Sequence, residues 1–395
     1  MAFTSKGVFV IGAKRTPFCK YGGSLRELPA SYAFAAAAKD AIRSANVDPT
    51  NVDCTIVGNI NFLSQCDGGK TPRYCGIYSG VPIEKPALGI NKACGTGLQA
   101  IITSVVDIIF GTSKLCLTGG TELMSTLPML VRNVRFGTAL GTAYHLEDHI
   151  KKEFPDTFCG LTRPQMVEKL AEKYNITRED VDKFALDSYV KWKKANDSKL
   201  FKEELTSLTV TLKKKDVDVK ADEIPQPNIS AEGLAEEHLL MKDGRVVTTG
   251  NSAPADGAAA LLLASEGSVI GGQALARIVG WAALGVAPED TGMGATEAIK
   301  KLLHDLKMKA GDVDLFEINE IFAPEVLVAI KELNLDPHKV NVNGGALAMG
   351  HPVSASGARM VTHLVHQLRQ RNVRRGVAAS SCGGGQGIAI MFERV

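Results

Sequence analysis

Two cysteines, a histidine and an asparagine sit in settings that suit chemistry as well as packing. Cys94 lies in Asn91-Lys92-Ala93-Cys94-Gly95-Thr96-Gly97, just before an apolar stretch with helical spacing. A thiol at a helix start faces the positive end of the helix dipole, which favours thiolate, and the flanking glycines let another molecule approach the backbone. Cys382 lies in Ser381-Cys382-Gly383-Gly384-Gly385-Gln386-Gly387 after an apolar run. Backbone N–H groups of such a turn can form an oxyanion hole. His351 is fixed between Gly350 and Pro352 in a loop that starts at Asn341 and leads into a helix from Ser354. Asn319 opens Asn319-Glu320-Ile321-Phe322-Ala323-Pro324, where polar residues follow an apolar strand and can point into a cleft. Each feature has an ordinary structural explanation: a free cysteine packs like a small hydrophobe, and a histidine beside proline serves as a turn. Taken together, they suggest acyl transfer by a thiolate. They do not name the substrate.

The elements that must position these residues alternate. Val8–Ile11 reads as a buried strand, Ser31–Ala45 as an alanine-rich helix and Val52–Val57 as a second strand. Leu98–Phe110 has helical periodicity, and Leu115–Leu117 is a strand closed by Gly119-Gly120. This pattern predicts an α/β fold with mainly parallel strands. It then recurs. Asn51–Asn59 resembles Asp312–Glu320 at an offset of 261, Gly97–Ala100 resembles Gly357–Met360 at an offset of 260, and Gly119-Gly120 is echoed after Val377–Ser381. Three matches in order at a nearly constant offset suggest a duplicated unit. Between the halves, Glu122–Val247 is polar and carries the lysine runs Lys191–Lys194 and Lys213–Lys215 and the turn Pro225-Gln226-Pro227. It reads as an excursion with a solvated surface. The expected division is 1–121 with 248–272 as one half, 122–247 as a loop domain, and 273–395 as the other half.

Composition narrows the function classes. The chain has 395 residues, 45% of them hydrophobic and 22% charged, with a formal net charge of +2. That balance supplies a large core and no basic field for nucleic acid. No apolar stretch is expected to reach the length of a membrane span. The eight cysteines show neither CxxC nor zinc spacing, so no metal is expected. Most read as inert reduced thiols of an intracellular, not secreted, protein.

With those segments in view, the sequence resembles the thiolase family along essentially its whole length. The regions around Cys94, His351 and Cys382 match its three signature regions in order and spacing, and Asn319–Ala323 matches a fourth motif. Val131–Gly137 looks most like the mitochondrial degradative 3-ketoacyl-CoA branch. The resemblance implies two βαβαβαββ-like halves stacked as five αβαβα layers, with the loop domain over a coenzyme A site. It implies that Cys94 attacks a 3-ketoacyl-CoA with help from His351, and that Cys382 protonates the acetyl-CoA enolate and later deprotonates incoming CoA. Asn319, through a water, and His351 would stabilise the enolate oxygen. Backbone N–H groups of Cys94 and Gly384 would hold the tetrahedral intermediate. CoA is then a substrate, with no tightly bound cofactor. A homodimer or homotetramer is implied, in the mitochondrial matrix or, as the alternative, the cytosol.

The sequence departs from the family pattern in places. The nucleophile motif has Gly95-Thr96, where Ala or Ser followed by Ser is usual, and Ser354 replaces a common glycine. Thr162–Glu168 replaces a TAEN-type segment, and Gln226 stands where many members carry an arginine that contacts the CoA nucleotide. Gly250–Gly257, with Ser252, reads one residue shorter than the usual loop near the pantetheine. Alternatives are a biosynthetic acetoacetyl-CoA thiolase, or a thiolase-like protein with altered CoA binding and a mainly thioesterase or non-catalytic role. Decarboxylating ketoacyl synthases and hydroxymethylglutaryl-CoA-type synthases share the fold, but Cys382 in its glycine turn favours thiolase.

Overall fold

The computed structural model describes residues 7–61, 67–148, 150, 155–248, 252–269 and 274–395. Cys66 and Gly250-Asn251 of the short loop lie outside these. The strand Val8–Arg15 pairs antiparallel with Ala255–Ser265 on one side and, over two residue pairs, with Ala276–Gly285 on the other. That junction joins two half-sheets of matching design. Outward from it run Ala255–Ser265, Leu115–Leu123, Cys54–Gly58 and Ala87–Ile90 in one direction, and Ala276–Gly285, Gln386–Arg394, Arg375–Cys382 and Leu315–Ile318 in the other. The strands related by the sequence offset occupy equivalent places.

The sheet is mixed, not mainly parallel. Cys54–Gly58 is parallel to both of its neighbours, and Leu315–Ile318 is parallel to Arg375–Cys382. The other ladders are antiparallel. The glycine turn after Cys382 is one reason: it is a tight hairpin joining Arg375–Cys382 to Gln386–Arg394. Ala255–Ser265 is buried on both faces, so it shows the continuous apolar run expected of a parallel strand although both partners are antiparallel. The glycine pair that seemed to close a strand at Leu117 lies inside Leu115–Leu123. A Cβ on Gly120 would strike the carbonyl of Ser354, so the glycine allows close approach to the next layer.

Helices Thr96–Phe110 and Val353–Gln370 fill the space between the half-sheets. Their Leu98, Ile101, Met360 and Leu364 share one core with Ile56, Leu261, Ile278 and Ile390 from both half-sheets. Ala30–Ser44 and Thr71–Tyr78 cover the outer face of the first half-sheet, and Gly294–Asp305 with Ala323–Glu332 cover that of the second. The result is five layers, αβαβα. The two central helices cross at the glycines matched by the repeat. A Cβ on Gly97 would lie 2.6 Å from Ala358 N, and one on Gly357 would lie 2.7 Å from Leu98 N. Contrary to expectation, one stretch does meet the membrane criterion: Ala93–Phe110, 18 residues with mean hydropathy 1.6, is long and apolar enough. It forms the central helix, and burial from both sides accounts for its composition.

The excursion contributes the helices Arg163–Tyr174, Arg178–Asp197 and Ala231–Glu236 and the hairpin of Leu208–Leu212 with Lys215–Val219. Lys193, Lys194 and Lys213–Lys215 are exposed. The region is anchored by charge. Arg15 is fully buried and pairs with Glu204 at 2.7 Å and Asp222 at 2.6 Å, while His363 Nδ1 lies 2.7 Å from the other Glu204 oxygen. This network ties the first strand, the excursion and the second central helix together.

Candidate active site

Cys94 is presented by a strained turn. Ala93 has φ +45°, and Thr96 stitches the turn from within: its Oγ1 accepts from Lys92 N at 2.8 Å and donates to Ala93 O at 2.6 Å. Helix Thr96–Phe110 starts two residues after the thiol. Cys382 ends its strand directly opposite, so close that a Cβ on Gly95 would collide with Cys382 Sγ. The N–H of Gly383 reaches the Cys94 thiol and that of Gly95 reaches Cys382. Each cysteine is thus served by the turn of the other. Gly384 lies one residue beyond, exposed at the hairpin turn with φ +78°.

The sequence led us to expect a lowered Cys94 pKa from the helix dipole, but burial wins. It pushes the Cys94 thiol up to about 11, although Arg163 and the Gly383 N–H pull the other way. Burial and the neighbouring Cys94 push Cys382 up to about 12. Burial likewise holds His351 down at about 3, helped by Arg359 and Arg163, so the imidazole is neutral.

The hydrogen bonds assign the histidine tautomer. Ser356 Oγ lies 2.6 Å from His351 Nδ1 and donates its single proton to Pro352 O at 3.2 Å. With that proton on Pro352 O the hydroxyl accepts from the ring, and on this network the hydrogen is assigned to Nδ1, leaving Nε2 a lone pair. Nε2 is buried and has no partner among the described residues. His351 therefore offers a base. Asn319 is arranged similarly: its Nδ2 donates to Ser380 Oγ at 3.2 Å, and its buried Oδ1 has no partner among the described residues. Ser380 Oγ lies 3.4 Å from Cys94 O, so Asn319 is linked to the nucleophile loop.

Glu320, next to Asn319, is a brace. Its carboxylate accepts from Ser188 at 2.7 Å, Asn341 at 2.8 Å and Leu347 N at 3.1 Å, joining the excursion to the loop that carries His351. In the sequence Glu320 shows only as part of the polar stretch after a strand, and Ser356 and Ser380 do not show at all, because nothing in their spacing marks a buried partner. Of the residues expected on the coenzyme side, Ser252 packs against the loop that follows Asn319: its Oγ donates to Ile321 O at 2.7 Å. Gln226 lines a cavity of about 290 Å³ with Asn228, Ser230, Leu234 and Glu237, and donates to Glu237 at 3.2 Å. The region that departs from the TAEN pattern also returns to the centre. Arg163 Nη2 lies 2.5 Å from Glu325 Oε1, and Arg163 acts electrostatically on Cys94, Cys382 and His351.

Two opposed thiols, a histidine with an unprotonated, unpartnered nitrogen and an asparagine with a free acceptor suit thiolate acyl transfer. Comparison with known proteins agrees. Residues 8–267 match the thiolase N-terminal domain and 272–394 the thiolase C-terminal domain. The chain belongs to the thiolase family. It is 42% identical over 391 residues to the mitochondrial 3-ketoacyl-CoA thiolase of Bos taurus, covering 98% of each chain. The human mitochondrial 3-ketoacyl-CoA thiolase superposes with a TM-score of 0.94 at 41% identity over 99% of each chain, and its complex with CoA with 0.93. An acetyl-CoA acetyltransferase from Bacillus anthracis gives 0.94 at 34% identity, again over 99% of each chain. This thiolase is accordingly an acyltransferase, and the five-layer architecture is that of its family.

Proposed function

We propose that this thiolase cleaves 3-ketoacyl-CoA with CoA, giving acetyl-CoA and a shortened acyl-CoA, through an acyl group carried on Cys94. The observation that carries this reading is the opposition of Cys94 and Cys382, together with a neutral His351 whose Nε2 is unpartnered among the described residues and which shares the field of Arg163 with both thiols. His351 Nε2 takes the thiol proton as Cys94 Sγ attacks the 3-keto carbon. The resulting oxyanion is held by backbone N–H groups of Cys94 and Gly384. The C2–C3 bond then breaks, its electron pair passing to the acetyl-CoA enolate. Cys382 supplies a proton to C2 and becomes thiolate. Asn319 Oδ1, through a water, and His351 stabilise the enolate oxygen. Incoming CoA gives its thiol proton to Cys382 and attacks the acyl group, and His351 returns a proton to Cys94.

CoA is a substrate in this scheme, with Ser252 on the pantetheine side and Gln226 at the nucleotide end. The division into 1–121 with 248–272, 122–247 and 273–395 has the middle segment covering the CoA. A homodimer or homotetramer is supported by the exposed Phe136 and Leu140 and by the strand Ala87–Ile90 at the sheet edge; a monomeric mass in light scattering would exclude it. The mitochondrial matrix is the proposed compartment, on the names of the relatives. The test of function is thiolysis of acetoacetyl-CoA and a longer 3-ketoacyl-CoA by wild type and Cys94→Ala. Cleavage must require both CoA and Cys94. No cleavage by folded wild type would refute the reading.

A further inference from the structure

Arg163 and Glu325 form a part-buried charge pair that the acyl-transfer scheme does not use. Arg163 is the first residue of helix Arg163–Tyr174, which a capping box of Thr162 and Gln165 starts at that point. A cation there faces the positive end of its own helix dipole and is electrostatically misplaced unless an anion compensates. The compensating anion is Glu325, 2.5 Å away, in the first turn of helix Ala323–Glu332. That helix follows directly from the Asn319 loop, and Phe322 of the same loop stacks under the guanidinium with its ring centroid 5.7 Å from Arg163 Cζ. Glu325 is only 2% exposed, and both Arg163 Nη1 and Glu325 Oε2 are buried without a partner among the described residues. Ser381, beside Cys382, donates to Gly292 O at 3.1 Å, and a Cβ on Gly292 would lie 3.4 Å from Glu325 Cγ, so the pair packs against the Cys382 strand end.

We propose that Arg163 and Glu325 act as an opposed pair of positioning charges that set the reactivity of Cys94: Arg163 favours its thiolate and Glu325 opposes it. The proposal rests on the acyl-transfer reading of Cys94, but its test does not depend on turnover. The charged and titratable groups acting on the reactive residues are Arg163 and Glu325 on Cys94, Lys92, Arg163 and the other thiol on Cys382, and Arg359 and Arg163 on His351. Arg163 is common to all three. Its partner is adjustable, because burial pushes the Glu325 carboxyl up to about 7 even against the pull of Arg163. Near neutral pH the pair therefore passes between neutral and net positive beside a thiol that must become anionic.

The test is the pH profile of Cys94 alkylation by iodoacetamide, located by peptide mass spectrometry, in the full-length protein. A single nearby charge moves a pKa by about one unit or more. Arg163→Met should raise the apparent thiol pKa and slow alkylation about tenfold below it. Glu325→Gln should move it the other way and speed alkylation. Arg163→Lys, which keeps the charge, should recover most of the wild-type rate. Opposite shifts from the two neutralising variants support the proposal, since a merely structural role would move both in one direction. Shifts of the same sign, or no shift in Glu325→Gln, overturn it. Loss of thiolysis in wild type with the opposite shifts intact would refute the function while leaving the pair as assigned.

Discussion

Replacing Ser356 by alanine isolates the tautomer argument. In the wild type, the hydroxyl lies 2.6 Å from His351 Nδ1, and both residues are buried. Because Ser356 donates to Pro352 O, it holds the ring hydrogen on Nδ1 and leaves Nε2 as the base. Without that acceptor, a buried N–H is left unsatisfied at a cost of about 1–3 kcal/mol. The ring escapes this cost by moving the hydrogen to Nε2, where the water proposed to bridge Asn319 can accept it but the nitrogen can no longer receive the Cys94 proton. At about 1.36 kcal/mol per factor of ten, the working tautomer falls by roughly 5-fold to roughly 150-fold. The assay is steady-state thiolysis of acetoacetyl-CoA, followed as loss of the 3-keto-enolate absorbance, with a melting curve to confirm folding. We expect kcat to fall by that factor with KM little changed, since no binding contact is removed. A folded Ser356→Ala protein with kcat within about twofold of wild type would refute the assignment, because either nitrogen would then serve equally.

Other consequences are equally direct. Cys382→Ser should reduce thiolysis by about 10²–10⁴-fold while Cys94 still reacts with iodoacetamide, since only the acid–base partner is lost; parallel loss of alkylation would mean that the site had collapsed. Gly97→Ala places a methyl 2.6 Å from Ala358 N and should destabilise the protein by about 1–3 kcal/mol in a denaturant melt; an unchanged midpoint would show that the central helices can move apart freely. For Glu204, burial alone would raise the pKa, but His363 and Arg15 hold it down at about 2 against an ordinary 4.5. A depressed carboxylate contributes stability that is present above the unfolded pKa and lost as pH falls through the folded one. Wild type should therefore lose denaturant resistance from pH 4.5 towards 2 more steeply than Glu204→Gln, and parallel curves would contradict the network.

The sequence made the repeat and the chemical residues legible because both depend on local signals. Glycine turns around Cys94 and Cys382, and a histidine between glycine and proline, are short patterns with a physical reason to exist. Strand direction was not legible in the same way. Ala255–Ser265 and Cys54–Gly58 are both buried and apolar, yet their main ladders run in opposite senses, because direction is set by the connection rather than by the strand. The supporting residues were hidden for another reason. Ser356, Ser380 and Glu320 act through partners 5 to 286 residues away in the chain, such as His351 for Ser356 and Cys94 for Ser380. Arg163 showed only as a departure from an expected segment; its meaning needed Glu325, 162 residues on, to be visible.

The protonation states also explain why the site is built as it is. With Cys94 near 11, Cys382 near 12 and His351 near 3, the reactive groups at neutral pH are two thiols and a neutral imidazole. A permanently ionised thiolate would be open to adventitious oxidation or alkylation, whereas a buried thiol is inert until its proton has somewhere to go. Nε2 supplies that destination when a carbonyl carbon is in reach of Cys94. The negative charge then moves to an oxyanion, to an enolate and to Cys382 in turn. At the two sulfurs it faces the start of the helix at Thr96 and the N–H groups of Gly383 and Gly95, which favour an anion. These dipoles are fixed before the reaction begins and need no reorganisation during it. Such a site should keep Cys94 slow towards iodoacetamide at rest yet fast towards a bound thioester. A free-enzyme alkylation rate equal to that of an exposed model thiolate would show that the charge is already present, and the argument from burial would fail.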